Sequence, residues 1–318
     1  MADYYLEFER PLKGLDEQIL EMETGENPNA NRTQILNLKK KRDKEMERIY
    51  SGMSRWQKVQ LARHPKRPFT MDYIQSMAPN FVELHGDRYF SDDSAMIGGL
   101  GKIDGQSVMF IGQQKGRNTN ENIYRNFGMM RPEGYRKALR LMKMAEKFNI
   151  PVISFIDTPG AYPGIGAEER GQGEAIAKNL LEMSRLKVPI LAIVIGEGAS
   201  GGALGIGVCD RMLMLENTWY SVISPEGCAS ILWRDASLAP KAADAMKVVP
   251  NDLLELGICD EVIKEPLGGA HRNPDEMADI LKNVILKHLK DLKTIEPDGF
   301  LENRIQRYDQ MGVFKDPS

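Results

Sequence analysis

A glycine-rich run placed directly after an apolar segment constrains this chain more than any other feature. The segment "PILAIVI" (189–195) is typical of a buried strand, and "GEGASGGALGIG" (196–207) follows it at once. Glycine lacks a Cβ, so such a run lets a ligand or a second stretch of backbone come close to it. We expect a tight turn and then a short helix at about 201–208. A bilayer span is disfavoured, because residues 189–208 contain Glu197 and six glycines.

A second loop of the same kind occurs earlier in the chain. The segment "DTPGAYPGIGAEERGQ" (157–172) follows the apolar strand "PVISFI" (151–156) and precedes a long helix predicted near 168–186. If the two strands are neighbours, both loops direct backbone N–H groups into one cleft, where they can bind an anion or a developing oxyanion. Seven residues of the two loops are the candidate site: Gly160, Ala161, Tyr162, Gly198, Ala199, Gly201 and Gly202.

The remaining pattern predicts an α/β fold. Two apolar segments flank Asp104-Gly105, a strong hairpin signal, and Ala138, Leu141, Met142 and Ala145 share one face of a predicted helix. Strands recur in ones and twos before each helix, which favours a spiral of strand-strand-helix units over a doubly wound sheet. Residues 1–67 are rich in helix formers and charge, and we interpret them as an N-terminal helical arm preceding a domain over 68–318.

Two other chemistries fit single motifs. The segment Gly198 to Gly202 matches G-x-S-x-G, the nucleophile elbow of serine hydrolases, with Ser200 as nucleophile. His271 with Asp260 or Asp244 preserves the order of such a triad. The alternative role for Ser200 is at most a helix-capping hydroxyl. The tetrapeptide "DTPG" (157–160) resembles a nucleotide-hydrolase switch, but the chain has no G-x-x-x-x-G-K-[ST] loop to hold phosphates.

Charge and cysteine content narrow the function classes. The net charge of −3 gives no reason to expect nucleic acid or an anionic membrane as a partner. Cys209, Cys228 and Cys259 stand far apart, which argues against a zinc ribbon in this chain and favours a reducing compartment. The N-terminus shows no secretory signal, so we expect a cytoplasmic protein. From the cysteine spacing we expect no metal site in this chain.

Five long segments carry a resemblance to a known family: "EGYRKALRLMKMAEKF" (133–148), "FIDTPGAYPGIGAEERGQGEAIAKNL" (155–180), "VIGEGASGGALGIGVCD" (194–210), "YSVISPEGCASILW" (220–233) and "EPLGGAHRNP" (265–274). They resemble the crotonase-like carboxyltransferase family, specifically the α subunits of bacterial acetyl-CoA carboxylases. The resemblance implies the crotonase (ClpP/crotonase) spiral fold and transfer of a carboxyl group from carboxybiotin to acetyl-CoA, giving malonyl-CoA for fatty acid biosynthesis. An inert scaffold on the same fold is the remaining alternative.

The resemblance also implies partners and roles. Biotin arrives on a carrier protein, and a separate biotin carboxylase uses ATP to carboxylate it. A β subunit with a four-cysteine zinc site completes an α₂β₂ assembly and the active site. The backbone N–H groups of Gly201 and Gly202 are implied to hold the biotin ureido oxygen, while Gly160, Ala161 and Tyr162 line the biotin pocket. The helical arm is expected to support assembly.

Overall fold

The computed structural model describes residues 4–25 and 32–312. Within these residues the chain forms eight strands: β1 (Val82–Glu83), β2 (Met96–Ile103), β3 (Gln106–Gln113), β4 (Val152–Thr158), β5 (Ile190–Ala199), β6 (Arg211–Leu215), β7 (Trp219–Ser221) and β8 (Glu261–Ile263).

The same residues form fourteen α-helices. Several begin with proline in the first turn, where its missing N–H leaves no bond unmade, and Ser224 and Asn273 cap two of these with their side chains. The helices are α1 (Arg10–Thr24), α2 (Arg32–Ser51), α3 (Arg55–Ala62), α4 (Thr70–Met77), α5 (Thr119–Tyr124), α6 (Pro132–Lys147), α7 (Ile165–Glu169), α8 (Gln172–Arg185), α9 (Ser200–Leu204), α10 (Pro225–Trp233), α11 (Ala239–Met246), α12 (Pro250–Glu255), α13 (Pro274–Leu292) and α14 (Gly299–Asp309).

All eight strands join one sheet in the order β1-β2-β3-β4-β5-β6-β8, and β7 pairs separately with β5. The predicted hairpin is confirmed: β2 and β3 pair antiparallel, and Asp104 and Gly105 both have positive φ, as a type I′ turn requires. From β3 onward the pairing is parallel. The long β5 pairs with β6 through residues 191–194 and with β7 through 197–199, so the sheet forks where the glycine run begins.

The core lies on both faces of the sheet. Side chains alternate along the strands, so Met109 and Ile111 of β3 pack on the face covered by α6 and α8, while Val108 and Phe110 pack towards α4 and α13. The predicted apolar face of α6 is confirmed, because its four residues are wholly buried: Ala138, Leu141, Met142 and Ala145.

The helix predicted near 168–186 is two helices. The break between α7 and α8 falls at Gly171, which adopts the left-handed conformation (φ 80°) that terminates helices. Helix α9 is also shorter than the prediction of 201–208, because the chain turns after Leu204. Over residues 189–208 the chain thus forms β5 and α9, and not a segment that spans a bilayer. Among the described residues, no helix is long and apolar enough to cross a membrane.

The N-terminal residues are helical, as predicted, and they contact the rest of the chain. Arg55 at the start of α3 forms a bidentate pair with Asp252 of α12, at 2.6 and 2.7 Å. Arg63, just after α3, reaches Glu197 of β5. The division into an arm and a domain at residue 67, and the role of the arm in assembly, stay predictions.

Candidate active site

The two glycine-rich loops lie side by side at the carboxyl edge of the parallel strands. Thr158, which ends β4, pairs with Gly198 of β5, so the loops leave the sheet from neighbouring positions. Helix α9 then packs on the first loop: a Cβ built on Gly202 would stand 2.3 Å from the carbonyl carbon of Gly160 and 2.6 Å from the nitrogen of Ala161. The loops therefore touch directly, and a ligand must approach from outside this contact.

The glycines of the run serve different purposes. Gly202 is buried, and no residue with a side chain fits there without moving the backbone of Gly160. At Gly196 a Cβ would meet the carboxylate of Asp157 at 2.3 Å. Gly201 is different, since it is half-buried and its nearest neighbour would be the Ile176 Cδ1 at 3.5 Å. Internal packing thus accounts for Gly196 and Gly202, whereas Gly201 leaves accessible backbone.

Ser200 forms the turn between β5 and α9. It is exposed and has a φ of 57°, a left-handed conformation that costs an L-residue free energy. Its hydroxyl does not cap the helix: Ala199 is the N-cap, and no side chain bonds to the first turn. The first N–H groups of α9, those of Ser200, Gly201 and Gly202, have no intrahelical acceptor. The turn therefore presents backbone donors at a partly exposed position.

The first loop is fixed by its own hydrogen bonds. The Thr158 hydroxyl donates to the carbonyl of Gly160 at 2.7 Å, and the backbone N–H of Tyr162 donates to Met130 at 3.0 Å. The Tyr162 ring is half-buried and lies beneath the guanidinium of Arg131, 4.7 Å from the ring centroid to Cζ. Gly160, Ala161 and Tyr162 thus form a rigid wall beside α9.

A partly buried charged cluster, which sequence reasoning missed, supports both loops. Lys115 Nζ lies 2.7 Å from Asp157 Oδ1 and 2.9 Å from Glu197 Oε1. Arg63 Nε lies 2.6 Å from the other oxygen of Glu197, and its guanidinium also pairs with Glu226. We call these five residues the clamp cluster. Its members are spread from residue 63 to residue 226, so only the fold brings them together.

Opposite charges offset the effect of burial on the pKa of two members of the clamp cluster, Lys115 and Glu197. Burial alone would lower the pKa of Lys115, but the carboxylates of Asp157 and Glu197 raise it above its usual value. Burial alone would raise the pKa of Glu197, and the neighbouring Lys115 and Arg63 lower it below its usual value. Each charged group therefore depends on its partners, and removing one exposes the others to the cost of burial.

A cavity of about 280 Å³ opens beside the clamp cluster. The backbone beside it is strained at Asn126 and Phe127, which both have positive φ although neither is glycine, and the bulky Phe127 lines the cavity. Both loops contribute to the lining, which includes Arg63, Lys115, Arg117, Phe127, Pro159 and Glu197.

The hydrolase triad does not form. The His271 Nε2 lies 3.6 Å from Glu9 Oε1, and its ring stacks on that of His64 at 3.9 Å between centroids. Asp260 pairs with Arg307 at 2.7 Å, and Asp244 lies near Arg55. No described histidine hydrogen-bonds to Ser200, and each of the four has a carboxylate or carbonyl neighbour elsewhere. Ser200 has the backbone of a nucleophile elbow without a base to activate it.

Glu9, His64 and His271 form a buried group whose ligand atoms lie within 4.8 Å of one another, the kind of set that can hold a metal ion. Two of its members already accept hydrogen bonds from within the protein. Glu9 accepts from the Leu6 N–H and the Tyr50 hydroxyl, and the His64 Nδ1 accepts from the Lys66 N–H. The group joins the N-terminal residues to the segment after β8.

Two solved structures share the fold of this chain. The transcarboxylase 12S structure with methylmalonyl-coenzyme A and methylmalonic acid bound aligns with a TM-score of 0.59, covering 72% of this chain and 42% of its own, at 18% identity. A Pseudomonas malonate decarboxylase hetero-tetramer in complex with coenzyme A aligns with a TM-score of 0.60, covering 76% and 94%, at 16% identity. Identities this low show the fold alone, and it is the predicted crotonase-like carboxyltransferase fold.

Sequence comparison goes further. A family model described as acetyl co-enzyme A carboxylase carboxyltransferase-like matches residues 5–312. The acetyl-coenzyme A carboxylase carboxyl transferase subunit alpha of Geobacter metallireducens is 55% identical over 315 residues, covering 98% of this chain and 99% of its own. The chain therefore belongs to the acetyl-CoA carboxylase carboxyltransferase α-subunit family, and it is a carboxyltransferase component.

Proposed function

We propose that this chain is the half of a two-chain carboxyltransferase that receives carboxybiotin, and that the Gly201 N–H, with that of Gly202, stabilises the ureido oxygen. The product of the complete enzyme is malonyl-CoA, formed from acetyl-CoA. The observation that carries the proposal is the turn at Ser200, whose positive φ ends a fully buried strand and leaves the half-buried Gly201 with an N–H that has no intrahelical acceptor.

The residues present fit a planar ring at this point. The space where a Cβ of Gly201 would stand has only the end of the Ile176 side chain nearby, at 3.5 Å. The rigid first loop, with Gly160, Ala161 and the Tyr162 ring, adjoins α9 and can form one wall of the pocket. Gly198 and Ala199 are buried in β5, so we assign them a supporting role rather than direct contact.

Carboxybiotin supplies the carboxyl group, and its ring nitrogen can accept the proton that acetyl-CoA loses. This chain's own contribution is electrostatic: N–H donors fixed before the reaction stabilise negative charge on an oxygen without reorganising. No protein base is needed in this scheme. That agrees with the four histidines, which are all engaged away from Ser200.

The site is open on the side of Ser200 and needs a second chain to complete it. We assign that role to a β subunit with a four-cysteine zinc site and a second oxyanion hole for the thioester, in an α₂β₂ assembly. Biotin carboxylase and the biotin carrier protein are the further partners, and ATP is used by the former. Exposed apolar side chains beside the turn support such a contact, since Val222 is 79% exposed next to the β7 residue that pairs with Ala199.

Reconstitution tests the proposal. The purified chain alone should transfer almost no carboxyl group between malonyl-CoA and free biotin, and a complex with the zinc-containing β subunit should restore transfer. Labelling of Ser200 by a fluorophosphonate, or full transfer by the isolated chain, would contradict it.

A further inference from the structure

Lys115 joins the ends of three strands. It lies two residues beyond β3, and its side chain, 14% exposed, extends across the carboxyl ends of β4 and β5. Its ammonium contacts Asp157 on β4 and Glu197 on β5, at 2.7 and 2.9 Å. A single charged group therefore cross-links the three strand ends at the edge where the two loops begin.

The two carboxylates are the points from which the loops depart. Asp157 comes directly before Thr158 and the first loop, and Glu197 lies three residues before Ser200. Asp157 Oδ1 also accepts the backbone N–H of Glu197, at 3.0 Å. The spacing between the two loops is thus set by contacts that converge on this carboxylate.

Arg63 extends the same support to the N-terminal residues. Its Nε donates to Glu197 Oε2 at 2.6 Å, and its terminal nitrogens pair with Glu226 at the start of α10. The guanidinium lies over the Trp219 ring of β7, 5.5 Å from Cζ to the centroid. The end of α3 is therefore fixed to β5, which leads into the Ser200 turn, and to its partner strand β7.

We propose that Lys115 is a positioning residue for carboxyl transfer: it holds the loops that begin at Asp157 and Glu197 in register, so that the Gly201 N–H faces the reacting oxygen. Arg63 does the same from the N-terminal side. The inference rests on the proposed function, because it needs a reaction at Gly201. A displacement of about 1 Å at such a site can reduce the rate about a hundred-fold.

The test compares Lys115→Met with Arg307→Met in the reconstituted complex. Arg307 is a matched control, since its pair with Asp260 spans 2.7 Å at a similar depth and lies at the opposite edge of the sheet. We expect Lys115→Met to lower kcat about a hundred-fold per folded molecule, with little change in the KM for malonyl-CoA. Arg307→Met should keep the wild-type kcat per folded molecule.

A pH profile separates positioning from a general loss of stability. Without Lys115, Asp157 and Glu197 are two buried carboxylates near the guanidinium groups of Arg63 and Arg67 and the Tyr73 hydroxyl, with Glu226 behind Arg63. One of them should then take up a proton on acidification, so the kcat of Lys115→Met relative to wild type should rise towards acidic pH. Lys115→Met/Glu197→Gln removes the excess charge and should recover part of the kcat at neutral pH. The double variant also tests the inference if Lys115→Met does not fold.

Three outcomes overturn the inference. These are a Lys115→Met variant with the same kcat as Arg307→Met at every pH, a Lys115→Met variant that loses kcat equally at every pH, and a double variant with no recovery over the single one. An inactive wild-type complex would instead refute the proposed function itself, so the two failures are distinguishable.

Discussion

Two groups of buried charges, one at each edge of the parallel sheet, satisfy their charges in different ways. At the amino edge, Arg304 makes two hydrogen bonds to Asp210, at 2.8 and 2.9 Å, and its remaining donors bind the carbonyls of Met183, Leu186 and Val188. Asp210 also accepts the backbone N–H of Ile190 at 2.7 Å. Both charges are satisfied and closed off from solvent, at 1% and 4% side-chain exposure.

At the carboxyl edge, the clamp cluster shares its charges along a chain that ends beside a cavity and the strained turn at Ser200. Shared charges and strained backbone next to accessible surface are typical of functional sites, whereas a fully satisfied pair that is closed off from solvent is typical of structural support. Buried charge alone therefore does not identify the edge that carries the active site. The accessible surface and the strained backbone around the charge identify it.

The largest effect should come from breaking the amino edge. Arg304→Met leaves Asp210 buried without its partner, and removing one member of a buried pair costs about 3–5 kcal/mol. We expect the free energy of unfolding in urea to fall by that amount, while kcat per folded molecule in the complex stays unchanged. A fall in kcat at full folding would erase the distinction between the edges.

At the carboxyl edge, Gly201→Val should lower kcat and leave the free energy of unfolding nearly unchanged. The added side chain blocks approach to the backbone donor, and loss of one oxyanion donor costs about 2.7–4 kcal/mol, or 10²–10³ in turnover. Stability should change little, because a Cβ there meets only Ile176 at 3.5 Å. Steady-state kinetics and thermal unfolding of the same sample check both halves.

Gly202→Val is the companion to that experiment. Its Cβ would stand 2.3 Å from the backbone of Gly160, so the first loop must move, and both stability and turnover should fall. Unchanged stability of Gly202→Val would mean that the contact between the loops is not as tight as the structure has it.

The sequence predicts the parts of this edge that are local. The hairpin at Asp104-Gly105, the apolar strands and the two glycine loops each follow from short patterns, and parallel pairing alone brings the loops together. The clamp cluster could not be predicted, because Arg63, Lys115 and Glu226 become neighbours only through tertiary packing.

The same limit explains why the backbone conformations of Ser200 and Gly171 could not be predicted from the sequence. Residue type indicates a cap or a helix, but a left-handed φ at either position depends on how β5 meets α9 and how α7 meets α8. The close contact of Gly202 with Gly160 is likewise invisible in the sequence, although the excess of glycine is the signal that something must approach there.

Acidification should weaken the carboxyl edge through the N-terminal residues. Burial, with the nearby charge of His271 and Arg272, lowers the pKa of His64 to about 4, against Glu9, which raises it. The unfolded chain, with an ordinary value of 6.5, then takes up more protons between these limits. The contribution of His64 to the free energy of unfolding is fully present above pH 6.5. It is lost as the pH falls towards 4, by about 3 kcal/mol.

The Glu9 carboxylate acts in the same direction at lower pH. Its pKa is lowered to about 2, because hydrogen bonds from His271 and Tyr50 outweigh burial, so its contribution is lost below pH 4.5. Urea unfolding at several pH values measures the slope, and His64→Phe should flatten it between pH 7 and 4.5. An equal slope in the variant would assign the acid sensitivity to other groups.

The smallest effect concerns Ser200 and decides what its strained backbone is for. A left-handed conformation costs an L-residue about 1–2 kcal/mol, whereas glycine adopts it freely but loses about 0.5–1 kcal/mol more in chain entropy on folding. Ser200→Gly should therefore raise the free energy of unfolding by at most about 1 kcal/mol, and Ser200→Ala should leave it nearly unchanged, because the hydroxyl caps nothing. Both variants should retain most of the carboxyl transfer in the complex, since the donors lie on the backbone of Gly201 and Gly202. A nucleophile at Ser200 would instead make both variants inactive, and loss of such a group costs roughly a million-fold in the best-studied triad. Activity of Ser200→Gly beside inactivity of Gly201→Val would thus locate the chemistry of this edge in its backbone.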